Sequence, residues 1–85
     1  MIRIKQYITA DGLSPFDKWF SELNSMAAAK ITKAVYKLEL GNFSTVEGVG
    51  SGVYEQKIDF GPGYRVYFSK EGNEIIIGSD SKELI

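Results

Sequence analysis

The sequence predicts an α+β domain of two layers: an N-terminal strand, two amphipathic helices, then an antiparallel three-stranded meander. Three observations carry that prediction. Apolar residues recur at helical spacing in two adjacent stretches between Ser14 and Leu40. From Val53 onward they alternate with polar residues, and two clusters of turn formers interrupt the alternation. Helices that are apolar along one stripe cover one face of a sheet, which makes two layers. At 85 residues the chain has room for one domain, spanning 1–85, with a modest core.

The elements follow in order. Ile2 to Tyr7 alternates with period two, putting Ile2 and Ile4 on the core side and Arg3, Lys5 and Tyr7 on the other. Asp11-Gly12 ends that run. Ser14 is a helix cap, Pro15 suits the first helical position, and Asp17 complements the positive end of the helix dipole. Phe16, Trp19, Phe20 and Leu23 then form one apolar stripe, which assigns Trp19 to the core. Asn24-Ser25 caps a second, longer helix from Met26 to Leu40. Ile31, Val35 and Leu38 face inward, with Ala27, Ala28 and Ala34 beside them, and Gly41 stops the helix. Lys30, Lys33 and Lys37 share a face that reads as solvated.

Phe43 to Gly52 reads as a flexible loop. Its glycines lie outside any strand-to-helix context, so they make no phosphate cradle. Val53 to Phe60 alternates again, with Tyr54, Gln56, Ile58 and Phe60 on one side and Val53, Glu55, Lys57 and Asp59 on the other. Gly61-Pro62-Gly63 reverses the chain into Tyr64 to Ser69, where Arg65 and Tyr67 point away from Tyr64, Val66 and Phe68. A second turn, Lys70 to Asn73, leads into Glu74 to Gly78, apolar on both faces and therefore central or covered. Ser79 to Ile85 reads as a short polar tail. On this layout the face carrying Arg3, Lys5, Tyr7, Glu55, Lys57, Asp59, Arg65 and Tyr67 is uncovered. The run Ile75-Ile76-Ile77 then favours strand pairing with another chain or burial under a partner, so self-association as a homodimer is expected.

Composition narrows the chemistry. There is no cysteine and no histidine, which excludes disulfides, thiol nucleophiles, His-dependent triads and Cys- or His-ligated metals; neither a metal nor a cofactor is expected. Catalysis, if present, falls to carboxylates, lysine, arginine or tyrosine. No signal-peptide core or membrane-length apolar run is visible, so the expected location is the cytoplasm and no membrane partner is expected. A formal net charge of −1 gives no global pull on nucleic acid, so any such role rests on a local basic cluster.

Four segments share a further pattern. SPFDKWFSEL, LELGNF, GVYEQKIDFGPGYRVYF and GNEIIIGSD resemble, in this order, successive segments of the RelE/HigB-like toxins of toxin–antitoxin modules, in the branch of addiction-module killer proteins. The resemblance implies the RelE/ParE-like fold and an endoribonuclease that cuts mRNA, commonly on the ribosome, and so inhibits translation. It implies a cognate antitoxin, often a helix-turn-helix protein. It also implies that basic residues on the open sheet bind RNA and stabilise the scissile phosphate. By position Arg65 matches the arginine of the family's GYRVYF segment, and Lys57 falls where the family has a basic residue. Tyr67 lies beside Arg65, Lys82 stands in for a lysine of the family's GGDKS-like segment, and Arg3 and Lys5 join Lys57 and Arg65 as RNA-binding residues. Relatives follow the last strand with a helix, which is expected to be missing here. Two alternatives remain open at this point: a ParE-like gyrase inhibitor, or a truncated, inactive toxin acting only as a protein-interaction module.

Overall fold

Helix caps, glycine turns and strand pairing set the element boundaries in the computed structural model, which describes residues 1–84. β1 (Arg3–Gln6) is short, and a turn closed by the Gly12 N–H donating to the Thr9 carbonyl (2.9 Å) leads out of it. α1 (Pro15–Ser21) begins at Ser14, whose Oγ accepts the Asp17 N–H at 3.1 Å. α2 (Ser25–Glu39) begins at Asn24, whose Oδ1 accepts the Ala27 N–H at 2.9 Å. Each cap satisfies an N–H that the first helical turn leaves without a partner. Just past α2, Gly41 takes φ +78°, the left-handed conformation that ends helices.

Four strands follow, β2 (Val46–Gly50), β3 (Val53–Ile58), β4 (Tyr64–Glu71) and β5 (Glu74–Gly78). The sheet order is β1-β5-β4-β3-β2, antiparallel from β2 to β5, with β1 parallel to β5. The fold is thus α+β, as its sequence pattern predicts, but the meander has four strands and not three. The stretch expected to be a loop contains β2, because the outer edge of β3 has backbone groups that need partners. Glu47 and Gly48 supply them opposite Glu55 and Tyr54, with a bulge between Gly48 and Gly50. An ideal Cβ on Gly48 would lie 3.7 Å from the Tyr54 ring, so the bare glycine is what the ring packs beside.

The core lies between the helices and one sheet face. Phe16, Ile31, Ala34 and Leu38 meet Ile58, Val66, Phe68, Ile75 and Ile77, all buried. Each large side chain here contributes about 1.5–3 kcal/mol by leaving water. Trp19 departs from its expected place: it packs on the rim of this cluster and stays partly exposed. α1 has only seven residues, and Phe16 takes its innermost position. Trp19 therefore falls at the end of the sheet, edge-on to Tyr64 (6.3 Å between centroids, 64° between planes).

Two further expectations change. β5 is hydrogen-bonded on both sides, to β1 and to β4, so it is central, as its two apolar faces predict, and the free edges belong to β1 and β2 rather than to Ile75–Ile77. The short polar tail is structured and packed. Ser81–Leu84 forms a 3₁₀ turn that packs across β3, β4 and β5. Gly78 is paired with Tyr67 and shares its face, and an ideal Cβ there would lie 2.7 Å from Glu83 Oε1 and 3.6 Å from Leu84. The turn therefore sits on the face expected to be bare. Glu83 folds back to accept the Ser79 N–H (2.8 Å) and the Asp80 N–H (3.2 Å), which holds the turn in place. Among the described residues no α-helix follows β5, and no helix is long and apolar enough to cross a membrane.

Candidate functional site

The β3–β4 hairpin fixes the site. Gly61 (φ +59°) and Gly63 (φ +87°) make the turn, and the Gly63 N–H donates to the Phe60 carbonyl at 3.0 Å. One ladder position beyond Ile58 and Tyr64, Lys57 stands directly opposite Arg65, and one side-chain repeat further on Glu55 stands opposite Tyr67. Two cations facing each other across a strand pair repel. Here each is balanced by its own carboxylate: Arg65 Nη1 lies 3.7 Å from Glu55 Oε2, and Lys57 Nζ lies 3.2 Å from Glu47 Oε2.

The two pairs differ in surroundings. The Glu55 side chain is 8% exposed and that of Arg65 is 58%, so a shielded carboxylate tethers an open guanidinium. The Lys57 and Glu47 side chains are both largely open. At 3.7 Å through one nitrogen, Arg65 keeps most of its five donors available for another anion.

Lys57, Arg65 and Tyr67 line an open cleft of about 640 Å³ together with Trp19, Asp59 and Ser79. Two cations and a phenol at one concavity can hold a phosphate and stabilise added charge on it. The structure thus brings three of the four expected catalytic residues together. Lys82 sits apart, exposed on the 3₁₀ turn outside the cleft lining. Arg3 and Lys5 also lie elsewhere. The ladders run from Lys5 through Ile76 to Ser69, four residues along β4 from Arg65 and two strands away, roughly 15 Å in all. Both approach Glu74, Lys5 at 3.2 Å and Arg3 at 3.6 Å.

Three contributors escaped the sequence reading. Glu47 lies in the segment that reads as a flexible loop, Ser79 in the segment that reads as a short polar tail, and Trp19 on a stripe that reads as core. The alternation at Glu55 gave its face correctly, but its burial depends on contacts that no local pattern carries.

A protein of Haemophilus influenzae, described as an uncharacterized protein, is 38% identical to this chain over 77 residues, which is 89% of this chain and 72% of the relative. The chain belongs to the family of that protein. No family model matches the chain, and no solved structure matches it. The relative extends beyond the matched region, since 72% of it is covered.

Proposed function

We propose that this chain is the toxin of a toxin–antitoxin module and an endoribonuclease that cleaves mRNA. The reading rests on the resemblance of its four segments to RelE/HigB-like toxins, and one observation carries it further: Arg65 and Lys57 are paired across a hairpin beside Tyr67, in a cleft open to a polymer. In this reading the guanidinium and the ammonium bind the non-bridging oxygens of a phosphodiester. The adjacent 2′-hydroxyl attacks phosphorus, the bond to the 5′-oxygen breaks, and a 2′,3′-cyclic phosphate and a 5′-hydroxyl form. The cations stabilise the phosphorane between them. Lys57 and Tyr67 in the cleft, and Glu55 from beside it through its pair with Arg65, share the transfer of the 2′-hydroxyl proton to the departing oxygen.

A second reading has its own support. Every cation named on this sheet face except Lys82 has a carboxylate within 3.7 Å, which weakens the pull on an RNA backbone. That favours a toxin-like fold that binds a protein, an antitoxin or gyrase, and cuts nothing.

The test expresses wild type, Arg65→Ala and Arg65→Lys at equal levels in bacteria and maps mRNA 5′ ends. The ribonuclease reading expects growth arrest with new 5′-hydroxyl ends for wild type, loss of both for Arg65→Ala, and partial recovery for Arg65→Lys. Arrest without cleavage, or full cleavage by a folded Arg65→Ala protein, would overturn it.

A further inference from the structure

We infer that Trp19 is the wall of a nucleobase subsite, on which a base of single-stranded RNA stacks while Lys57 and Arg65 hold the neighbouring phosphate. The inference rests on the ribonuclease reading and adds to it the group that recognises the base.

The indole is the only tryptophan in the chain and lines the same cleft as Lys57, Arg65 and Tyr67. It is partly buried, so one part anchors it and another meets solvent. Phe16 lies against it (5.6 Å between centroids, 56° between planes), and Tyr64 meets it edge-on at 6.3 Å. Those contacts fix the ring before any ligand arrives, which lowers the entropy cost of stacking. A purely apolar ligand would leave the two cations unused, and an inorganic anion would leave the indole unused. A nucleotide supplies a flat π-face and an anion within one residue of chain, the pairing by which proteins hold unpaired nucleic acid. At about 640 Å³ the cleft falls within the range of small-ligand pockets.

The experiment uses the full chain and two end-labelled 2′-O-methyl oligonucleotides of equal length, one complete and one abasic at its central positions. Neither has a free 2′-hydroxyl, so neither can be cut, and fluorescence anisotropy gives Kd. The complete oligomer is expected to bind more tightly and to quench the single tryptophan. Trp19→Leu should weaken its binding by roughly 5- to 100-fold and leave the abasic oligomer unchanged. Trp19→Phe keeps a smaller ring and should lose less, which also serves if the leucine variant does not fold. Equal binding of both oligomers by wild type, no binding at all, or a folded Trp19→Leu protein that still prefers the complete oligomer would each overturn the inference. Cleavage of RNA without base-dependent binding would sink the subsite alone. Base-dependent binding without cleavage would support it and sink the nuclease reading alone.

Discussion

One face of the sheet meets α1 and α2 through Ile58, Val66, Phe68, Ile75 and Ile77, all buried and all apolar. The opposite face of the sheet carries Arg3, Lys5, Lys57 and Arg65, each beside a carboxylate, and a four-residue turn where the first face has two helices. The first is held by area removed from water and tolerates little change in volume. The second is held by pairing and by a short backbone cap. Its pairs are unequal, because three are open to solvent and one, Arg65 with Glu55, ends on a carboxylate that is almost fully buried. A charged face is therefore not uniformly a soft surface, and one shielded partner ties the candidate site to stability.

The largest test of this contrast is Phe68→Ala. Phe68 is 1% exposed and stacks with Tyr54 and Phe43, so about 3–5 kcal/mol is expected to be lost, with urea unfolding showing a domain near or past its limit. Unchanged stability would mean that the helix-covered face is not the core.

The next compares the two cross-strand cations. Arg65→Ala strands the buried Glu55 and should cost about 1–3 kcal/mol, whereas Lys57→Ala frees an exposed Glu47 and should cost under about 1 kcal/mol. Adding Glu55→Gln to Arg65→Ala should restore part of the loss. Equal effects of the two single changes in thermal denaturation would erase the distinction between the pairs. In functional assays Arg65→Ala is therefore to be read alongside its melting curve.

Gly78→Ala probes the cap. Its methyl would meet Glu83 Oε1 at 2.7 Å, so that side chain must move and release the Ser79 and Asp80 N–H groups, with an expected cost of about 1 kcal/mol and faster proteolysis after Gly78. A variant as stable and as resistant as wild type would show that the turn adds nothing to the second face. The smallest effect is expected for Lys5→Ala, within about 0.5 kcal/mol and insensitive to salt, since Arg3 remains beside the same Glu74.

Much of this was legible in the residues. Ser14 and Asn24 mark both helix starts, since a side-chain oxygen that accepts an N–H acts locally, and Gly61-Pro62-Gly63 marks the hairpin that sets Arg65 opposite Lys57. β2 was not legible, because Gly48 and Gly50 carry no side chains and its strand conformation comes from pairing with β3. Nor was the cap on the second face. The 3₁₀ turn is secured by Glu83 reaching back to Ser79 and Asp80 and by the bare surface of Gly78, a tertiary fit with no periodic signature. Trp19 shows the same limit, because helical spacing gives a direction and cannot give the distance to the end of the sheet.

The parallel pairing of β1 with β5 also governs when the fold can exist. Arg3 lies against Glu74 and Gln6 against Ile77, so the first strand synthesised waits for the last before it gains a neighbour. The β3–β4 hairpin can form from local contacts alone, but the core beneath Ile4, Ile75 and Ile77 cannot close until β5 is in place. The sheet therefore becomes a rigid surface only when β5 has paired with both of its neighbours, and until then the hairpin that carries Lys57 and Arg65 has no sealed core beneath it.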